Sequence, residues 1–279
     1  MKVGFIGGGN MATAIVGGLL AKGLAAADFH IVEPYAEQRE KLSATLGVGV
    51  EAGCTAALAD CNVVVMAVKP QQMREAAQSL RPFLKNQLVI TIAAGITLAD
   101  LARWLGGHAK LVRAMPNTPA LIHAGVTGLF AAPAVDAAAK QSAEQLLAAV
   151  GEVVWFERED LLDAVTAVSG SGPAYIFYFI EALEQAALKL GMNADQARRL
   201  ALQTFRGASE LAARSDDPPQ TLRARVTSKG GTTERAIATM DAENLKAGFV
   251  RAVEAAATRS AELGREMGRE MGHQGRQDS

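Results

Sequence analysis

The opening segment Lys2-Val3-Gly4-Phe5-Ile6-Gly7-Gly8-Gly9-Asn10-Met11-Ala12 passes from an apolar run straight into a glycine cluster. Strand, tight turn and helix in that order leave few folds open, because the chain must leave a sheet and at once pack a helix back upon it. Gly7, Gly9 and Ala12 stand at the spacing G-x-G-x-x-A. In this pattern the first glycine permits the turn, the second lets a pyrophosphate approach the backbone, and the small third residue lets helix and strand touch. Free N–H groups at the helix start then face the phosphates. Ala14, Ile15, Leu19 and Leu20 continue the helix, and Gly23 closes it.

A second apolar run, Phe29-His30-Ile31-Val32, ends in Glu33. That position lies about 20 residues past the motif, where a dinucleotide fold places an acidic residue on the adenine ribose. Residues 34–46 read as a helix and 48–50 as a short strand. Val63-Val64-Val65-Met66-Ala67-Val68 is apolar without interruption, as a strand covered on both faces must be, and it stops at Lys69-Pro70. Residues 71–84 make the next helix, Leu88-Val89-Ile90-Thr91-Ile92 the next strand, and Ala93-Ala94-Gly95 the turn after it. This alternation specifies a doubly wound parallel sheet, whose ligands bind outside the carboxyl ends of the strands. The loops 7–12, 67–70 and 93–95 should therefore line one crevice.

Residues 110–115 form a further strand leading into Met115-Pro116-Asn117-Thr118-Pro119, a rigid loop that serves either as a ligand contact or as a structural Asx turn. Strands at 125–131 and 152–156, with a helix at 136–149 between them, complete a first domain over residues 1–157. Beyond residue 159 the strand pattern gives way to helices. A helix opened by Ser169-Gly170-Ser171-Gly172-Pro173 carries Tyr175-Ile176-Phe177-Tyr178-Phe179-Ile180, which is apolar around its whole circumference and calls for burial by a second subunit. Asn193-Ala194-Asp195-Gln196 has the form of a capping box. Val226-Thr227-Ser228-Lys229-Gly230-Gly231-Thr232-Thr233, directly before a helix, builds an anion nest for a carboxylate or phosphate. The helical domain is expected over residues 158–264, and the glycine-broken tail, 265–279, to be disordered.

Of the 279 residues 49% are hydrophobic and 20% charged, enough apolar material for two domains. With 28 Lys+Arg against 29 Asp+Glu, no basic excess invites nucleic acid or an anionic membrane. Cys54, Cys61 and four scattered histidines form no metal motif. No apolar run reaches the ~18 residues of a membrane span, and no leader precedes the first strand, so the cytoplasm is the expected compartment.

With these residues in view, the chain from residue 2 to about 263 resembles the pyrroline-5-carboxylate reductases, which catalyse the last step of proline synthesis. The most specific likeness is the segment 226–233 with Ala236, Ile237, Met240 and Asp241 behind it. Ala67-Val68-Lys69-Pro70, the loop 115–119 and Ser169-Gly170-Ser171-Gly172-Pro173-Ala174-Tyr175 are similar as well. The resemblance implies a Rossmann domain followed by an all-helical domain that forms an intertwined homodimer, sometimes assembled into decamers, with NADPH or NADH as cofactor and pyrroline-5-carboxylate and proline as substrate and product. It assigns the dinucleotide to Ile6, Gly7, Gly8, Gly9, Asn10 and Met11, to Ala67, Val68, Lys69 and Pro70, and to Ala93, Ala94 and Gly95, with Glu33 and Asn117 beside them. It assigns the substrate carboxylate to Ser228, Gly231, Thr232 and Thr233, gives the Thr233 hydroxyl to the ring nitrogen, and sets an acid, Glu159 or its neighbours Glu157 and Asp160, on the substrate side. Cys54 stands where the family often has an asparagine near the adenosine.

The chemistry agrees with this. A protonated cyclic imine is already electrophilic, so its reduction requires positioning more than a strong acid. A 3-hydroxyacid dehydrogenase of the same architecture would need a lysine to protonate an alkoxide, and the available Lys189 lies at the far end of its helix. A noncatalytic nucleotide sensor would have no use for the nest at 228–233. For the cofactor, Glu33 favours NADH by repelling a 2′-phosphate, while the resemblance and Arg39 lean to NADPH; the expectation is dual use.

Overall fold

The computed structural model describes residues 1–273 and the side chains of residues up to 267. Contacts divide the chain into two compact units, the first formed by residues 1–171 together with the chain from Ala256 onward, the second by Gly172–Ala255.

The first unit is built on an eight-stranded sheet: β1 (Val3–Ile6), β2 (Phe29–Val32), β3 (Val50–Glu51), β4 (Val63–Met66), β5 (Leu88–Thr91), β6 (Leu111–Met115), β7 (Gly125–Ala131) and β8 (Gly151–Trp155). Their order, β3-β2-β1-β4-β5-β6-β7-β8, reverses direction beside β1, which pairs in parallel with both β2 and β4. Among the described pairs only β6–β7 is antiparallel, and β8 runs parallel to β7, so the expected doubly wound sheet is present with its last two strands reversed. Successive residues of β4 show why its run is uniformly apolar: Val63 and Val65 enter the core on one face, Val64 and Met66 the core on the other. The first face is covered by α1 (Asn10–Ala21), through Ile15, Val16 and Leu19, and by α5 (Ala137–Leu147), through Ala143, Leu146 and Leu147. Between these in sequence lie α2 (Ala36–Leu46), α3 (Met73–Leu80) and α4 (Leu98–Trp104); the last two supply Met73, Ala77, Leu80, Leu101 and Trp104 to the other face. Each fully buried aliphatic side chain contributes about 1.5–3 kcal/mol, which makes this two-faced sheet the main source of the unit's stability.

Two expectations need correction here. The Ser169-Gly170 segment is no turn: α6 (Leu161–Val165) runs on through a π-helical stretch, Thr166–Gly170, closed by an i→i+5 bond from Ser171 N to the Thr166 carbonyl at 2.8 Å. Thr166 and Ser169 donate their hydroxyls back to the carbonyls of Leu162 and Val165, which supports the widened turn. These residues pack with the first unit, so that unit extends past residue 157 to Ser171.

The second unit begins with α7 (Gly172–Lys189) and α8 (Ala194–Ala213), joined through Gly191 and the expected capping box, in which Asn193 accepts from Gln196 N at 2.9 Å and Gln196 accepts from Asn193 N at 3.1 Å. Then come α9 (Pro219–Arg225), α10 (Thr232–Ala242) and α11 (Leu245–His273), whose last part returns to the first unit. The expected disorder from residue 265 is therefore replaced by helix through His273; residues 274–279 lie outside the described ones. The cause is local packing. A Cβ on Gly264 would stand 3.1 Å from the Gly95 carbonyl oxygen, Met267 joins the core beneath it, and Arg259 ties Glu262 and Glu266 along the helix.

Candidate active site

Ile6, Met66 and Thr91 end β1, β4 and β5 in register, so the loops after these strands share one edge of the sheet. They are stitched there: Gly7 N donates to the Val32 carbonyl at 2.8 Å, and Ala67 N to that of Ile6 at 2.7 Å. Gly7 has φ +100, and a Cβ on it would come within 2.7 Å of the Ala67 carbonyl oxygen, so only glycine serves. Gly9 is different. It is exposed, nothing lies within 4 Å of where its Cβ would stand, and it precedes α1 with no side chain capping the helix. The leading N–H groups of α1, from exposed Asn10 and half-buried Met11, thus open onto free space with the positive end of the helix dipole behind them. This is a phosphate cradle by shape and charge, and a dinucleotide fits it. Ala67, Val68, Lys69 and Pro70 and the stretch Ala93, Ala94 and Gly95 flank it on the β4 and β5 sides.

Three further expected contacts fall out differently. Glu33 is only 6% exposed, and its carboxylate turns inward: Oε2 accepts from Gly8 N at 2.9 Å and Oε1 from Tyr35 N at 3.0 Å. Asn117, also buried, donates to the Ser169 carbonyl at 3.1 Å and accepts from Val126 N at 2.9 Å; its amide cross-links distant loops and does not close an Asx turn. Glu159 accepts from Leu98 N, the first residue of α4, at 2.8 Å and pairs with the buried Arg113 at 3.4 Å. Arg113 also meets Asp163 at 3.4 Å, and Asp163 accepts from Ser260 at 2.9 Å, so strand β6 and helices α4, α6 and α11 are joined by one half-buried ionic network. Half-buried Cys54, near the end of β3, has its thiol pKa raised by burial and by Glu51.

In the second unit, Gly230 takes φ +76 and Gly231 is the N-cap of α10, again without a side-chain cap. The turn is tightened by Gly231 N donating to the Ser228 carbonyl at 3.0 Å. Gly230 N donates to the Glu234 carboxylate at 2.7 Å, so a carboxylate already rests on this turn. Ser228 and Thr232 are exposed and Thr233 half-buried at the same helix start. Sequence reasoning missed Glu234, as it missed Gln38, which donates to the Gly8 carbonyl at 2.6 Å, and the buried Arg113. A polar residue four positions after a glycine was the available signal for Glu234; Gln38 and Arg113 gave none.

A phosphate cradle at the point where strand order reverses, followed in the chain by a helical unit with an anion-binding helix start, belongs to a nicotinamide-dependent oxidoreductase. Comparison with known proteins narrows this. Residues 2–95 match the family model described as NADP oxidoreductase coenzyme F420-dependent, and residues 159–263 that described as pyrroline-5-carboxylate reductase dimerisation. The chain is 48% identical to the pyrroline-5-carboxylate reductase of Pseudomonas aeruginosa over 94% of its own length and 96% of the relative's. A solved pyrroline-5-carboxylate reductase from Coxiella burnetii superposes with a TM-score of 0.89 at 41% identity, covering 94% of this chain and 98% of that one. The Plasmodium falciparum enzyme, solved with NADP bound, gives 0.84 at 28%, covering 95% and 98%. The chain belongs to the pyrroline-5-carboxylate reductase family.

Proposed function

We propose that the protein reduces the C=N bond of 1-pyrroline-5-carboxylate with NADPH or NADH to give L-proline. The observation that carries this is the nest at Ser228–Thr233, a carboxylate-accepting turn that a bare nucleotide-binding protein does not need. The bound nicotinamide supplies a hydride to the imine carbon. The chain's part is placement: Gly9, Asn10 and Met11 hold the pyrophosphate on their N–H groups, and the loops 67–70 and 93–95 flank the remainder of the dinucleotide. Ser228 and the N–H groups of Gly231, Thr232 and Thr233 hold the substrate carboxylate, and the Thr233 hydroxyl orients the ring nitrogen. Because the imine is protonated in solution, no side chain has to deliver a strong acid. Glu159 serves by fixing the start of α4 against Arg113.

The enzyme works as a homodimer, open to assembly into decamers, in the cytoplasm. The test is oxidation of NAD(P)H with pyrroline-5-carboxylate beside a panel of keto acids and other cyclic imines; faster turnover of a keto acid overturns the reading. On cofactor choice, Arg39 donates Nη1 to the carbonyls of Glu33 and Pro34 at 3.0 and 2.7 Å, which holds its guanidinium at the end of β2 with the other nitrogens available to a 2′-phosphate. Arg39→Met should lower kcat/KM for NADPH about tenfold and leave that for NADH nearly unchanged.

A further inference from the structure

In the dinucleotide-binding pattern, an acid at the end of the second strand points into the crevice and takes a ribose hydroxyl. Glu33 stands at that place, yet its side chain is committed elsewhere. Both oxygens are engaged by backbone N–H groups, one from Gly8 and one from Tyr35, and the residue is buried. The opposite end of the Gly8 residue is held too, its carbonyl accepting from Gln38 Nε2 at 2.6 Å. Leu42 closes the remaining side, since a Cβ on Gly8 would fall 2.3 Å from its Cδ1. Gly8 is thereby fixed at its N–H, its carbonyl and its Cα by three side chains, one directly after β2 and two on α2. At the next residue, Gly9, the carbonyl accepts from the Thr13 hydroxyl at 3.0 Å, while nothing lies within 4 Å of where a Cβ would stand.

We propose that Glu33 and Gln38 are positioning residues that clamp Gly8 and so hold the turn that presents the Gly9, Asn10 and Met11 N–H groups, and that Glu33 takes no part in distinguishing NADH from NADPH. The proposal rests on the assignment of the cofactor to this turn and adds how the turn is kept ready. Its physical basis is that a glycine-rich segment loses more backbone freedom on ordering than any other. A glycine turn left loose would have to be ordered at each binding event, and bonds already made in the empty turn remove that cost. A carboxylate accepting backbone N–H bonds is the stronger kind of brace, because a charged acceptor bonds more tightly than a neutral one. To reach a ribose, Glu33 would have to give up both bonds and leave a buried place.

The experiment measures NADH and NADPH binding by calorimetry for the full chain and for Glu33→Ser, Glu33→Gln and Gln38→Leu, with amide hydrogen exchange across residues 7–12 in the ligand-free protein. Glu33→Ser should weaken both cofactors about tenfold while their affinity ratio stays within about twofold of the parent's. Glu33→Gln, whose amide oxygen still accepts from Gly8 N, should fall between Glu33→Ser and the parent. Gln38→Leu should weaken both cofactors as well, and all three should speed exchange in the turn. A shift of the ratio toward NADPH by about tenfold in Glu33→Ser, the result expected of lost charge repulsion at the ribose, overturns the proposal. Unchanged affinities with unchanged exchange overturn it equally. Should Glu33→Ser fail to fold, Gln38→Leu carries the same test alone. Gly9→Asp separates the underlying assignment: if that variant binds both cofactors as the parent does, the cofactor site is elsewhere, whatever Glu33 does.

Discussion

Thr233 and Cys61 illustrate how differently single side chains can be placed. Thr233 sits half-buried at the start of α10 in the second unit, whereas the phosphate cradle belongs to the first. Thr233→Ala should reduce kcat by about tenfold or more through lost orientation of the imine nitrogen, with cofactor affinity by calorimetry unchanged. Cys61 is buried, and its thiol pKa is pushed up to about 11 by that burial, with nearby Lys2 pulling the other way and Asp60 adding to the rise. A thiol that titrates so high is protonated at neutral pH, and the thiolate is the reactive form. Alkylation by iodoacetamide should therefore be slow in the native protein and become fast only on unfolding; rapid native labelling of Cys61 would show the site to be open. At this scale the sequence was least legible. Gly7 and Gly9 could be read because backbone conformation and open space leave a glycine signature. Asn117 and Glu33 could not, since a polar side chain at a strand end has the same letter whether it faces a ligand or ties its own backbone.

Among the elements, the C-terminal part of α11 has the largest consequence for the cofactor edge. Gly264 meets the backbone of Gly95, whose φ is +74, so helix and loop touch without side chains between them. Gly264→Val would force branched carbons into that contact. It should cost about 1–3 kcal/mol of stability and weaken dinucleotide binding, read as a lower Tm and a higher Kd together. A lower Tm with unchanged Kd would mean that the loop keeps its place without the helix. The strands were legible because continuous apolar runs of this length, bounded by glycine and proline, have one reading in a covered sheet. The last helix was not: its repeated glycines argue against helix on propensity alone, and the surface at Gly95 turns one of them, Gly264, into an advantage. The π-helical Thr166–Gly170 was missed for a related reason, since Ser-Gly pairs mark turns unless side-chain hydroxyls bond back along the helix.

The whole molecule is made of two units with unlike cores. The first buries large side chains throughout, whereas the buried apolar residues of the second are Ala187, Ala197 and Ala201. Its large ones stay open, with Phe177 at 65%, Tyr178 at 69% and Leu190 at 79% exposure. The Tyr175 hydroxyl, buried beside Phe249, has no hydrogen-bond partner among the described residues. Such a unit cannot be stable alone, and the dimerisation family to which it belongs says what completes it. Tm should accordingly rise with protein concentration, and Phe177→Glu should give a protein that sediments as a monomer or fails to fold; a folded, active monomer at low micromolar concentration would contradict this. One feature of the chain path bears on how the protein is made. Because the first unit takes in residues from Ala256 onward, which follow the whole second unit in sequence, the loop at Gly95 lacks its supporting helix until the second unit has been translated. A nascent chain can assemble the sheet early, but residues 256–267 must emerge before the loop at Gly95 is backed by its helix. A product stalled or terminated before Ala256 would then carry a Rossmann sheet with an unsupported loop at Gly95, an exposed target for the proteases that clear incomplete chains.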